Sequence, residues 1–160
     1  MNTSSGFYIR QKMAMQNLHP ASKFISLFLG ISMLSFGLLK FIDPFKTWYS
    51  VQVTNSELGN TSYWLGIFGE IIVGIVLSGS VLLHQKLRPH VVRKLIGISS
   101  TAVVIMMISG IYVHLHPAVP SDVLPLKIKP PYIPGFFLLL AAFNIYKSFQ
   151  YIEVTPARDN

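Results

Sequence analysis

Cysteine is missing altogether from the 160 residues, so a disulfide framework, a Cys-ligated zinc, an iron–sulfur cluster, a c-type haem attachment site and a thiol redox centre are excluded together. Charge is scarce as well: 12% of residues are Asp, Glu, Lys or Arg, against 51% hydrophobic, and the mean hydropathy is +0.51. A soluble domain normally carries about twice that share of charge, so the expected solvent is a lipid bilayer. No P-loop, dinucleotide GxGxxG, nucleophile elbow or HExxH occurs. The formal charge of +7 sits between apolar blocks, where a positive-inside bias places it, so nucleic acid is not expected as a partner. Arg10 and Lys12 near the start are followed by neither an apolar run within the first twenty residues nor a small-residue cleavage site, so no cleaved leader is expected.

Four long apolar stretches are present. Residues 22–42, 63–83, 92–113 and 132–149 each reach the length a helix needs to cross the hydrocarbon layer, the last one with Lys147 extended toward the headgroups. None shows the wet stripe of a buried soluble helix. The expected fold is all-α: a transmembrane four-helix bundle, 22–149, between an N-terminal tail, 1–21, and a C-terminal tail, 150–160. Ser26 with Gly30, Gly74 with Ser78, and Gly97 with Thr101 repeat at helical spacing and are read as packing devices that let backbones approach closely.

Lys and Arg are distributed unevenly among the connections. Arg10, Lys12, Lys23, Lys86, Arg88, Arg93, Lys94, Lys147 and Arg158 fall on one side, and Lys40, Lys46, Lys127 and Lys129 on the other. This nine-to-four ratio predicts both termini in the cytoplasm, with Trp48, Tyr49, Tyr63, Trp64 and Tyr132 forming an aromatic girdle at the outer interface. Asp43-Pro44 reads as a helix cap followed by Pro at the first helical position, predicting a short interfacial helix from Phe45 to about Val53. The Pro-rich connection that follows the third span is expected to pack against the bundle mouth in a stiff, extended form.

Glu70 is the most informative residue, because an ionisable group within a span is costly and needs a partner. It lies seven residues into the second stretch from Tyr63, about 10 Å at the helical rise. Lys40 ends the first span on the same side, and His114 and His116 end the third; Lys127 of the Pro-rich connection completes the set of candidate ligand-binding or ion-pair residues. Two readings stay open: a buried Lys40–Glu70 pair that fixes helix register, or a polar pocket in the outer leaflet. Two His at i and i+2 do not face each other on a helix and lack nearby acidic or thiol ligands, so hydrogen bonding is preferred to a metal. No His lies deep within a span, which excludes a transmembrane bis-His haem. Asn144, with Ser99, Ser100 and Thr101, is read as interhelical hydrogen bonding.

The stretches FGLLKFIDPF, WLGIFGEIIVGIVLSG and HPAVPSDVLPLKIKPPYIPGFFLLLAAFNIY together resemble the DoxX-like group of small four-helix bacterial membrane proteins. The resemblance runs over residues 24–149 and is carried mainly by Gly37 to Phe41 and by the Gly69-Glu70 pair. It implies a bacterial cytoplasmic-membrane protein, an accessory subunit of a quinone-linked or oxidative-stress-related oxidoreductase. No intrinsic cofactor is expected; a bound quinone or lipid is, together with a membrane or extracytoplasmic oxidoreductase partner. Association with further copies of the chain is left open. A proton-coupled transporter or lipid-handling protein, and a purely structural assembly protein, stand as the alternatives, and independent catalysis is the least favoured.

Overall fold

The computed structural model describes residues 19–150, all of whose regular structure is helical. The tails that carry Arg10, Lys12 and Arg158 in the charge tally lie outside the described residues. Four long helices, α1 (Pro20–Leu39), α3 (Gly59–Leu82), α4 (Pro89–Leu115) and α5 (Tyr132–Gln150), form the bundle, and a short α2 (Phe45–Asn55) follows α1. All four are long and apolar enough to cross a membrane. The bundle is a multi-pass membrane protein in design: only 22–33% of each candidate span is buried, and the uncovered remainder is dominated by Ile, Leu and Phe. A surface of this kind matches hydrocarbon rather than water.

Three helices begin before their apolar runs. Pro20 and Pro89 occupy first-turn positions, where the missing N–H has no helical partner to lose, so α1 starts inside the segment assigned to the tail and α4 starts three residues ahead of 92. The His19 ring nitrogen Nδ1 accepts the Ala21 N–H at 3.2 Å and closes the first turn of α1. The polar turn Gly59 to Ser62 extends α3 beyond Tyr63.

The most extensive packing joins α1 to α3 and α4 to α5, with α3 against α4 less extensive and α1 against α5 least. Glycine sets the first of these crossings. A Cβ on Gly74 would stand 2.5 Å from the Leu34 nitrogen, and one on Gly30 would meet Ser78, its backbone nitrogen at 2.8 Å. The two helices therefore meet backbone to backbone, as small residues permit. Gly97 approaches the Ser148 hydroxyl of α5, but Thr101 is exposed and its hydroxyl donates back to the Gly97 carbonyl at 3.0 Å, so it is no packing contact. The main core combines Leu29, Met33, Leu77, Ile96, Val103 and Ala141.

Asn144, fully buried, ties α5 to α1: its Oδ1 accepts the Ser22 hydroxyl at 3.1 Å and its Nδ2 donates to Ser26 Oγ at 2.8 Å. Ser99 and Ser100 are buried on α4 and take no part in that cluster. This network sits at the open end of the bundle, where α1 and α4 begin and α3 and α5 end. The opposite, capped end carries α2 and the connection from α4 to α5.

Two expectations about the cap need correction. Pro44 is the cap residue itself rather than the first helical residue, and the Asp43 carboxylate accepts the Thr47 hydroxyl at 2.7 Å instead of a backbone N–H. The Pro-rich connection is not simply extended: it folds into 3₁₀ turns at Ser121–Val123 and Pro125–Lys127, and Leu126 and Lys127 take φ of 57° and 56°. Val119 and Leu124 drive this folding by burying themselves with Val113 in a second small core.

Candidate functional site

Lys40 follows the last residue of α1, and its Nζ lies 2.6 Å from Oε1 of Glu70 on α3. Gly37 makes the approach close, since a Cβ there would lie 2.7 Å from Ile71 and 3.2 Å from the Glu70 Cβ. The α1–α3 crossing that Gly30 and Gly74 establish thus continues one turn further and delivers the amine to the carboxylate. Glu70 sits eleven residues after the start of α3, about 16 Å along its axis. The four residues Gly59 to Ser62 account for the excess over the 10 Å reckoned from Tyr63, where the apolar run begins.

Tyr49 of α2 completes the group. The Lys40 ammonium lies 3.8 Å from the centre of its ring, an attractive arrangement for a partly desolvated cation. The ring fits there because residue 66 is glycine: a Cβ at that point would collide with the Tyr49 hydroxyl. That hydroxyl points at the Ser62 and Tyr63 carbonyls, 3.4 Å from each. Burial, and then the neighbouring Glu70 carboxylate, push the Tyr49 phenol above its ordinary value. Tyr49 therefore faces inward, in contrast to its expected place in an aromatic girdle. Trp64 and Tyr132 remain exposed near the capped end, with Tyr63 against Trp64 at 5.3 Å.

Beside the ion pair lies a cavity of about 680 Å³. Its wall is mostly apolar, with Phe36, Leu39, Trp48, Val53, Met107 and Phe137, and its polar groups are Lys40, Glu70, Tyr49, Gln52, Ser62, Ser109 and His114. α2 and the Pro-rich connection roof it. The Gln52 amide donates to the Val123 carbonyl, Asn55 Nδ2 donates to the Ala118 carbonyl at 3.0 Å, and the Tyr112 hydroxyl donates to the Ser56 carbonyl at 3.2 Å. The cavity has the size and the sparse polarity of a small-molecule site.

The five candidate residues separate into two groups. Lys40, Glu70 and His114 line the same cavity, His114 held with its Nδ1 donating to the Lys129 carbonyl at 3.3 Å. The His116 ring lies 5.5 Å from that of Tyr112, tilted by 57°, and its backbone carbonyl accepts the Lys129 Nζ at 2.7 Å, so it belongs to the roof. Lys127 is exposed on the left-handed turn, away from the cavity wall. Among the described residues no set of three or more His, Asp or Glu side chains is placed to hold a metal ion.

Tyr49, Gln52 and Lys129 are site or roof residues that the sequence does not single out as such. Lys129, half-buried, donates to the carbonyls of His116 and Val119 and fixes the connection, and only its tally as a surface charge was legible. A readable signal for Tyr49 did exist in Gly66, a glycine one turn before Glu70 on the face that receives the ring. No family model, no curated protein and no solved structure matches the chain.

Proposed function

We propose that this chain is a binding subunit of a bacterial cytoplasmic membrane that holds a quinone or another lipid-like amphiphile in its capped-end cavity, with redox centres supplied by a partner oxidoreductase. The observation that carries the reading is the 680 Å³ cavity with the Lys40–Glu70 pair in its wall. A pair whose task is only to fix helix register has no need of empty space beside it, and close packing normally fills such space. The resemblance to DoxX-like proteins supports the quinone-linked setting and the bacterial membrane. The charge tally supports an orientation with the capped end outside: of the described residues, Lys23, Lys86, Arg88, Arg93, Lys94 and Lys147 cluster at the open end.

The test is purification of the chain in mild detergent with mass spectrometry of what accompanies it. A quinone or neutral lipid in near-stoichiometric amount is expected, and it is lost when Met107→Trp fills the cavity. Haem or metal absorbance intrinsic to the purified chain would sink the accessory role.

Glu70 favours one rival. Its Oε2 is buried without a hydrogen-bond partner, and an intramembrane carboxylate of that kind is a frequent element of proton relays. A transporter reading then requires pH-dependent flux in liposomes that disappears in Glu70→Gln.

A further inference from the structure

The cavity is bounded by a roof, by packed rings and by the main core, and its remaining side is a seam in the bundle. Above it, α2 and the Pro-rich connection are tied together by the Gln52, Asn55 and Tyr112 hydrogen bonds. Toward α1 and α5, the Phe36 ring packs on Phe137 at 5.7 Å, and Phe137 stacks on Phe28 at 5.7 Å with 22° between ring planes. Below lies the main core. Phe36 of α1 is itself 39% exposed, and between α3 and α4 the exposure of the lining is greater. Leu65 is 68% exposed and Ile105 61% exposed, Ser109 is exposed with its hydroxyl turned back onto the Ile105 carbonyl, and all three line the cavity. Side chains that belong at once to the cavity wall and to the lipid-facing surface mark an opening toward the hydrocarbon.

The polar end of the cavity restricts what fits it. Lys40 and Glu70 neutralise each other, and Lys129 is engaged by two carbonyls of the roof. An anionic headgroup would therefore be desolvated without a cation to receive it, which is costly. The ammonium has three donors, of which one goes to Glu70 and another faces the Tyr49 ring, so a carbonyl oxygen finds a donor there.

From this we infer that the cavity takes a neutral, carbonyl-bearing amphiphile sideways from the bilayer, through the seam between α3 and α4, with its head at Lys40 and its tail left in the seam. This rests on the binding function proposed above and adds the charge class of the ligand and its route. A quinone and a diacylglycerol both carry that chemistry.

The experiment uses the full chain in nanodiscs with Trp64→Phe, so that Trp48 in the cavity wall is the single tryptophan reporter. Stopped-flow fluorescence follows quenching by decyl-benzoquinone. Dioctanoylglycerol and a short-chain phosphatidylglycerol serve as competitors. Saturable quenching is expected, with no displacement by phosphatidylglycerol. Displacement by dioctanoylglycerol assigns the site to neutral carbonyl lipids in general, and its failure assigns it to the quinone ring; either result supports the inference.

Ser109→Phe and Ile105→Phe narrow the seam from lipid-facing positions and should slow association by about tenfold or more, as any obstruction of a binding route does. Ile31→Phe, on an exposed part of α1 outside the cavity wall, should leave the rate unchanged. Association as fast in both seam variants as in the parent chain overturns the route while the binding function stands. Displacement by phosphatidylglycerol as strong as by the neutral probe overturns the charge class. Absence of saturable quenching by any probe overturns the binding function itself.

Discussion

Lys40 and Glu70 occupy a setting in which each is costly without the other. Both side chains are largely buried, and Glu70 has one oxygen on Lys40 and one without a partner. Removing one member leaves an uncompensated charge in a low-dielectric site, a loss on the order of 3 kcal/mol, whereas removing both leaves two apolar or neutral groups of similar size. In a double-mutant cycle followed by thermal unfolding in detergent, Lys40→Met and Glu70→Gln should each lower stability by that amount. The double variant should recover most of the loss. Additive losses would mean that the two side chains stabilise the bundle independently, contrary to the 2.6 Å contact. Because the ligand is proposed to bind at Lys40, the double variant is also expected to fold normally and to lose its amphiphile, which separates the packing task of the pair from its binding task.

At the scale of helices, the α1–α3 crossing is the element on which the site depends. A methyl group at residue 74 meets the backbone of Leu34, which cannot rotate aside, so Gly74→Ala must separate the helices and should cost about 1–3 kcal/mol. Gly79 lies on the same helix, and a methyl group there would have nothing within 4 Å, so Gly79→Ala should stabilise by up to about 1 kcal/mol through helix propensity alone. Comparison of the two unfolding midpoints checks the assignment: a similar response in both would show that the helices do not meet where the glycines place them. The Gly74 variant should also weaken the Lys40–Glu70 contact, since the same crossing brings the two side chains together.

For the whole molecule, the even number of spans places Pro20 and Gln150 at the same end of the bundle. The proposed orientation puts that end in the cytoplasm. The chain has no cysteine of its own, so single replacements report without background. Asn60→Cys, exposed at the capped end, should react with a membrane-impermeant maleimide on intact cells. Gln85→Cys, exposed at the open end, should react only after the membrane is broken. The reverse pattern would place the cavity roof in the cytoplasm and with it any partner that meets the roof.

Much of this architecture was readable from residue order. Four apolar stretches of spanning length specify four membrane helices because hydrocarbon leaves a backbone no partner except its own turns. Lys40 and Glu70 were legible as partners because a lone carboxylate in such a stretch demands compensation. Their neighbours were not: Tyr49 and Gln52 occur in a segment whose composition reads equally well as an interfacial helix, and their inward direction depends on where α2 settles over α3. His116 and Lys127 share sequence proximity with true cavity residues yet belong to the roof, because two left-handed residues turn that connection in a direction no periodicity encodes. Sequence by itself determined the solvent, the number of spans and a polar pair that lipid will not tolerate apart. Tertiary structure alone decided that the pair borders a cavity and that Leu65, Ile105 and Ser109 belong both to its wall and to the outer surface, since empty space arises from how helices pack and belongs to no single residue.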